Sequence, residues 1–527
     1  MMNTPVRLVD VSEPELKKLA AWLALILTKG DVIHLDGDLG AGKTTFARAL
    51  IRHISENTID EIPSPTFSLV QHYRTDRVDI YHFDLYRLSD PDEAYEIGLD
   101  DALANGVSLI EWPERLQGDA RPDYLEIKLA DAKDPDERDV TLIGHGDWCQ
   151  RIERLANMVR FVEKSDWSAV TPTYMQGDAS ARGYARLVGL DRPAILMNAP
   201  AQADGPPVRD GKPYSQIAHL SEDVRPFVAI ADNLRQMGLH APEIYAHDLD
   251  QGLLILEDMG ERVFGAEITK GRPLADLYAA AVDVLNEMRN FEVPIELPLP
   301  DGTSYQVPDF DLDAFLIEAD LLIDWYWPAL KGTEPSANER AEFQTQYQAL
   351  FEKIAHLDRG WLLRDYHSPN LIWLENSQAN SPKNPEQSQS INHVGIIDFQ
   401  DALHGPRSYD LVSLLQDARL DVPKNIEADL LDQYCQKARD QDRDFNEDDF
   451  RLSYAVLGLQ RNTKIIGIFA RLAMRDKKTN YLQHMPRIWG YLERNLEHPE
   501  LAGLKSWFEK HLPNELRGNA ILSKLEA

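Results

Sequence analysis

The sequence predicts an α/β protein with two separate cores. The first alternates strands and helices around a glycine-rich loop, and the second runs strands first and helices afterwards. Three observations carry that expectation. Residues Gly37 to Thr44 read GDLGAGKT, a complete G-x-x-x-x-G-K-[ST] pattern, with an apolar run before it and a helical pattern after it. Far downstream, Leu363 to Asn370 read LRDYHSPN, and an apolar run from Ile396 ends in Asp398-Phe399. At 527 residues the chain exceeds what one hydrophobic core ordinarily covers.

The elements follow in order. Ser12 with Glu15 three residues later makes a capping box, so residues 13–28 read as an amphipathic helix. Its apolar run, 19–27, is too short to span a bilayer and follows charged residues on the same period, which argues against membrane insertion. DVIHLD at 31–36 reads as a buried strand, 44–54 as the helix after the loop, and 68–73, 78–84, 107–111, 124–129 and 140–143 as further strands. A helix over 149–164 bridges to the second unit, which places the boundary near Ala156 and the domains at 1–156 and 157–527. In the second domain the strands are 185–190, 194–199 and 253–257. Helices follow at 274–290, 312–325, 337–357 and over most of the chain from Asn425. This order predicts a small strand-rich lobe at about 171–260 and a helical lobe at about 261–527. Polar stretches at 202–213, 331–338 and 376–392 read as surface loops.

Composition narrows the function classes. A formal net charge of −32 repels a polyphosphate backbone, so direct strong nucleic-acid binding is not expected unless a partner supplies a basic surface. The two cysteines, Cys149 and Cys435, can build neither a zinc site nor a disulfide framework, and no signal peptide is read. A cytoplasmic protein is the expectation.

The loop Gly37-Asp38-Leu39-Gly40-Ala41-Gly42-Lys43-Thr44, with Thr45 behind it, has the strand-to-helix context that a phosphate cradle requires. Glycines let backbone N–H groups turn toward the phosphates of ATP, and the helix N-terminus adds partial positive charge. Lys43 would reach the β- and γ-phosphates, and the Thr44 hydroxyl would bind Mg²⁺. Asp84 closes a strand where a magnesium carboxylate is expected, and Glu111 closes another. The segments SPTFSLVQHY (64–73), HFDLYRL (82–88) and IEWPERL (110–116), with the loop, resemble the TsaE family of P-loop ATPases over about the first 150 residues. Those proteins serve the bacterial machinery that makes threonylcarbamoyladenosine in tRNA. The resemblance implies that Thr66 lies in a switch-like loop, that Glu111 positions the attacking water, and that Trp112 lies beside the nucleotide. It also implies TsaB- and TsaD-like partner subunits.

Asp365 and Asn370 have the spacing of a carboxylate that takes a substrate hydroxyl's proton and an amide that holds Mg²⁺, with Asp398 as the second metal ligand. GDASARGYARL (177–187), ILMNAP (195–200), LLILEDMG (253–260), RDYHSPN and IIDFQDALHGPRSYDL (396–411) resemble the aminoglycoside phosphotransferase and choline kinase superfamily, from Thr171 to the C-terminus. That is a two-lobed, protein-kinase-like fold, and the closer likeness is to AmgK-type kinases of cell-wall amino sugars. The resemblance implies a catalytic Asp365 and metal ligands Asn370 and Asp398. It implies a phosphate-covering loop with Gly177, Ser180 and Arg182, and a hinge beside adenine with Glu257 and Met259. It also has Asp410 bracing the catalytic loop, and the C1 hydroxyl of N-acetylmuramate or N-acetylglucosamine as acceptor. Two departures stand out. Leu363 occupies a position where the superfamily often has histidine, and Met197 stands where a strand lysine pairs with phosphates. Arg182, Arg186 and Lys212 remain alternative phosphate cations. His367 and His404 read as hydrogen-bond partners within their loops. An aminoglycoside, choline or homoserine acceptor, or a non-catalytic second half that regulates the first, are the competing readings.

Overall fold

The computed structural model describes residues 5–118, 121–176, 182–189, 192–375 and 389–526. In chain order the first elements are β1 (Val6–Ser12), α1 (Glu13–Ile26), β2 (Val32–Asp36), α2 (Lys43–Ile54), β3 (Val70–Tyr73) and β4 (Asp79–Asp84). Next come α3 (Asp92–Glu96), α4 (Leu99–Asn105), β5 (Gly106–Glu111), β6 (Tyr124–Asp131), β7 (Glu137–His145) and α5 (Trp148–Glu163). They are followed by β8 (Thr171–Met175), β9 (Gly183–Val188), β10 (Ala194–Asn198), β11 (Pro207–Arg209), β12 (Lys212–Pro213), α6 (Tyr214–Ile217), α7 (Arg225–Gln236), β13 (Ile244–Asp248) and β14 (Leu253–Glu257).

The chain forms two compact units, residues 1–200 with 245–258, and residues 201–244 with 259–527. The first holds a seven-stranded sheet in the order β1-β7-β6-β2-β5-β4-β3. Its centre is parallel, β6 to β2 to β5 to β4, which the apolar runs of those strands require because helices cover both faces. The capping box forms as expected: the Glu15 carboxylate accepts from the Ser12 N–H at 2.9 Å. Strand β1 was not anticipated. It is an edge strand with only Val11 buried and a bulge between Leu8 and Val11, so it lacks the apolar alternation that marks a strand.

The same unit carries an antiparallel sheet in the order β13-β14-β10-β9-β8, of which β8 and β13 were also not anticipated. Its alternation is regular. Ala185, Leu187, Ala194, Leu196, Leu253 and Ile255 all point into a core that also contains Leu16, Trp22, Leu23 and Trp167. Helices α1 and α2 pack on β8. The Arg77 guanidinium donates to the Ala24 and Leu27 carbonyls at 2.5 and 2.8 Å and lies 3.7 Å over the ring of Tyr174 in β8. The two sheets therefore share one continuous apolar core, which is why a compact unit runs past the interdomain helix α5.

The second unit continues with α8 (Phe264–Thr269), α9 (Leu274–Met288), β15 (Glu296–Pro298), β16 (Ser304–Gln306), α10 (Leu312–Leu321), α11 (Trp327–Lys331) and α12 (Ala337–Ile354). Then come β17 (Arg359–Leu362), β18 (Leu371–Trp373), β19 (Val394–Ile396), β20 (Leu403–Pro406), α13 (Ser408–Leu415), α14 (Lys424–Gln441) and α15 (Glu447–Met474). The chain closes on α16 (Met485–Asn495), α17 (Ala502–His511) and α18 (Ala520–Glu526). Helix α15 is the spine of this unit, with its middle turns buried against α10, α13 and α16. The stretch expected as one helix over 312–325 instead widens into a π-helical turn at Leu322–Tyr326 before α11. Pro328 explains this: it has no N–H to donate and its ring crowds the preceding turn, and the Trp327 N–H bonds five residues back to the Leu322 carbonyl. The polar stretch 202–213 is not all loop, because β11 and β12 make a small hairpin within it. The expected loop at 376–392 lies mostly outside the described residues. Among the described residues no helix is long and apolar enough to cross a membrane.

Candidate functional site

The first site sits at the C-terminal edge of β2, β4 and β5. Gly42 caps α2 at φ +101°, a left-handed conformation that favours glycine, and a Cβ on Gly37 would lie 2.4 Å from the Leu129 carbonyl oxygen. Arg138 holds the loop from outside, donating to the Ala41 carbonyl at 3.1 Å. Lys43 is buried, and desolvation pushes its ammonium below the ordinary lysine value against the pull of Glu111 and Asp84. Its Nζ donates to the Gly37 and Asp38 carbonyls at 2.5 and 2.9 Å and lies 3.7 Å over the Trp112 ring. Trp112 itself has φ +62°, strained for a bulky residue, directly after Glu111.

Parallel pairing sets Asp84 opposite Glu111 in the register of β4 and β5. The Thr44 hydroxyl donates to the two Glu111 oxygens at 2.9 and 3.1 Å, and the Thr66 hydroxyl donates to Asp84 at 2.9 Å. Fully buried His82 completes the cluster, its Nε2 2.9 Å from Glu111 Oε1. A cavity of about 300 Å³ opens between Gly40, Gly42, Thr44, Thr66, Asp84 and Trp112, so the loop is not filled by its own side chains. Leu39 at the loop tip is 82% exposed, Ala41 is buried beneath it, and Thr45 lines the cavity on the first turn of α2. The donor set fits a hard cation with a polyphosphate: one hydroxyl, two carboxylates and a lysine around one cavity. In this conformation Thr44 pairs with Glu111 rather than with Asp84.

The second site is built on the turn after β17 and the turn after β19. Arg364, just before the predicted catalytic Asp365, and the predicted metal ligand Asp398 hold φ +72° and +60°, strained for residues other than glycine. The Asn370 amide nitrogen donates to the Asp365 carbonyl at 3.0 Å and to Asp398 Oδ2 at 3.2 Å, tying the two turns together. That leaves the Asn370 carbonyl oxygen and the Asp398 carboxylate as a cation's protein ligands. A magnesium ion that takes its remaining oxygens from phosphates and water needs no more than these. Gln400 donates to Asp398 Oδ1 at 2.9 Å, and the Phe399 ring stacks on Phe227 at 4.8 Å. Burial opposes ionisation of Asp365, but His367 and the cations Lys464, Arg461 and Arg364 outweigh it and hold the carboxyl below its ordinary value. Buried Asp410 accepts from the Leu363 and Arg364 N–H groups at 2.6 and 2.9 Å, while burial pushes its carboxyl up to about 7. Leu363 is therefore held through its backbone, which any side chain at that position would allow.

Other predicted residues fall elsewhere. Gly177 and Ser180 lie outside the described residues, and Arg182 immediately precedes β9. Met197 is buried on β10, on the face opposite the shared core. Arg186 pairs with Asp258 at 2.7 Å, just beyond Glu257 at the end of β14. Lys212 is exposed on the hairpin. Met259 opens the second compact unit, where its Cε would touch a Cβ on Gly395. The expected loop roles of the two histidines are not what the structure has: His367 Nδ1 is buried with no hydrogen-bond partner among the described residues, and His404 lies on β20, where it contacts Asp309 and Arg359.

Several residues of these sites escaped the sequence reading. His82 stands two residues before Asp84 on one strand, so both share a face, a spacing that could have flagged it. Asp417 accepts from the Ser368 N–H at 2.9 Å and from the Tyr278 hydroxyl at 3.1 Å, and nothing local in the sequence marks it. Buried Glu318 binds Arg364 and accepts from Lys464 at 2.6 Å and Gln460 at 3.0 Å. Its signal was a glutamate inside the otherwise apolar run 314–319 of α10.

The profile of the threonylcarbamoyl adenosine biosynthesis protein TsaE family matches residues 11–140, and that of the phosphotransferase enzyme family matches residues 173–445. An N-acetylmuramate/N-acetylglucosamine kinase of Caulobacter vibrioides is 34% identical over 374 residues, covering 69% of this chain and 98% of that protein. One of Pseudomonas aeruginosa is 32% identical, covering 64% of this chain and 88% of that protein. The TsaE protein of Rickettsia felis is 42% identical over 156 residues, covering 29% of this chain and 90% of that protein.

Proposed function

The chain belongs to the TsaE family through its first part and to the phosphotransferase enzyme family through its second, and from that premise we propose a bifunctional enzyme with two independent ATP sites. The observation that carries this reading is the separation of the two constellations. Lys43, Thr44, Asp84 and Glu111 meet in one compact unit, and Asp365, Asn370 and Asp398 meet in the other, with no residue in common.

In the first site, His82 holds the Glu111 carboxylate in place to orient a water toward the γ-phosphorus of ATP. Thr44 and Asp84 are the oxygens that would hold magnesium, and Lys43 exchanges its loop carbonyls for phosphate oxygens. The acidic chain has no use for direct tRNA contact, so hydrolysis serves TsaB- and TsaD-like subunits in threonylcarbamoyladenosine synthesis. Leu39 at 82% and Phe67 at 86% exposure, both adjoining residues that line the cavity, are apolar surface for such a partner. Affinity capture of those two subunits by the full chain, weakened by Phe67→Asp, tests this half. Equal capture by the variant would contradict the surface.

In the second site, Asp365 accepts a hydrogen bond from the C1 hydroxyl of N-acetylmuramate or N-acetylglucosamine. It takes that proton as the hydroxyl oxygen bonds to the γ-phosphorus and the bond to the β-phosphate oxygen breaks, releasing ADP. Magnesium, when bound, neutralises phosphate charge, and Asn370 and Asp398 are the residues that would hold it. The strained Arg364, clamped by Asp410 and Glu318, fixes the Asp365 backbone. Phosphorylation of this kind returns cell-wall amino sugars to metabolism. The test is transfer of label from the γ-phosphate of ATP by the full chain to a panel of both sugars, an aminoglycoside, choline and homoserine. Label on the two amino sugars alone is expected. Label on none of the panel would favour a non-catalytic second half.

A further inference from the structure

Helix α15 contains five consecutive polar residues, Gln460 to Lys464, within otherwise buried turns. Four make hydrogen bonds to neighbours, although the amide oxygens of Gln460 and Asn462 are also buried without a partner among the described residues. Gln460 and Lys464 donate to Glu318 at 3.0 and 2.6 Å, Asn462 donates to Gln416 at 2.7 Å, and Thr463 shares a 2.6 Å hydrogen bond with Tyr347. Arg461 is the one cation of this run with a buried donor left unmet among the described residues. It is 5% exposed, and its Nη1 is buried with no hydrogen-bond partner among the described residues. A buried guanidinium with an unmet donor is costly; Arg364 also keeps two such donors but is paired with Glu318, whereas Arg461 has no carboxylate partner among the described residues, which leaves its charge for a ligand.

Helix geometry says where Arg461 points. Gln460 and Lys464 share one face, which meets Glu318 and through it Arg364. Asn462 looks toward Gln416, whose neighbour Asp417 holds the Ser368 N–H. Arg461 lies on the arc between them, about 100° from Gln460. It faces the middle of the catalytic loop, where its charge acts on Asp365, His367 and Asp410. His367 Nδ1, also buried and without a partner among the described residues, belongs to the same loop.

We infer that Arg461 receives the lactyl carboxylate of N-acetylmuramate beside Asp365 and makes this site prefer the acidic amino sugar over neutral N-acetylglucosamine. The inference rests on the amino-sugar reading given above. A planar guanidinium presents two parallel donors that match a carboxylate, whereas a neutral sugar offers it only a hydroxyl.

The test uses the full chain with Arg461→Gln and Arg461→Lys, and reads kcat/KM separately for the two sugars. For Arg461→Gln, kcat/KM toward N-acetylmuramate is expected to fall about 100-fold, mainly through KM. Toward N-acetylglucosamine the fall is at least about tenfold smaller, since loss of the charge beside Asp365 is common to both sugars, and an unchanged thermal transition shows that the variant is folded. Arg461→Lys recovers part of the lost muramate activity. Equal loss for both sugars in both variants, or no loss for N-acetylmuramate, overturns the inference while the amino-sugar reading stands. A wild-type chain that phosphorylates neither sugar refutes that reading and this inference with it.

Discussion

Glu318 gives the sharpest stability prediction. Its carboxylate is fully buried and binds Arg364, 2% exposed, together with Lys464 and Gln460. Burial alone would raise its pKa, yet Lys464 and Arg364 outweigh burial and hold it at about 2, against an ordinary 4.5. At roughly 1.4 kcal/mol per unit, that depression corresponds to about 3 kcal/mol of stability in the ionised form. The sign follows from a folded pKa below the unfolded one: the contribution is complete above about pH 4.5 and is lost as pH falls toward about 2. Glu318→Gln keeps the shape but leaves buried Arg364 and partly buried Lys464 facing a neutral amide, for which a loss of about 3–5 kcal/mol is expected near pH 7. Urea unfolding of the full chain, followed by tryptophan fluorescence, measures it as an earlier transition of the helical unit. The gap between variant and wild type should narrow below pH 4.5. A variant within about 1 kcal/mol of wild type at neutral pH, or a gap unchanged at pH 3, would refute the reasoning.

Other expectations can be checked alongside. Asp410→Asn turns an amide N–H₂ toward one of the two backbone donors that Asp410 now accepts, so kcat for sugar phosphorylation should drop about 10–100-fold while the ATP KM stays within about threefold. Unchanged kcat would deny the brace a role. His82→Phe removes the group that fixes Glu111 and should slow sugar-independent ATP hydrolysis about tenfold with sugar phosphorylation intact. A fragment spanning 171–527 lays bare Ala185, Leu187, Ala194, Leu196, Leu253 and Ile255, and each large side chain forfeits about 1.5–3 kcal/mol of burial. Such a fragment should aggregate or melt well below the full chain, and equal thermal stability would argue against the shared core.

Much of this was legible because the chemistry is local. A phosphate cradle needs glycines and a lysine at fixed spacing, and Asn370 must sit five residues from Asp365 to bridge it to Asp398, so both patterns survive in one dimension. The central parallel strands β2 and β5 were readable because both their faces are buried and mostly apolar. Edge strands were not, since β1 buries only Val11 and β8 is half-buried. The shared core was invisible for a related reason: alternation tells that Leu187 and Leu196 face inward, not what they face. Asp417 just past α13, and Glu318 and Arg461 on helices, act on the catalytic loop from segments distant in sequence, and only tertiary packing brings them to it.

The most direct measurement compares Lys43→Ala and Asp365→Asn in the full chain, assaying ATP hydrolysis without sugar and label transfer to N-acetylmuramate with the same preparations. Two independent sites predict that Lys43→Ala abolishes the hydrolysis and leaves transfer within about twofold of wild type, and that Asp365→Asn does the reverse. If either substitution silenced both activities in a chain that remained folded, the two sites would be one coupled machine and the account would be wrong.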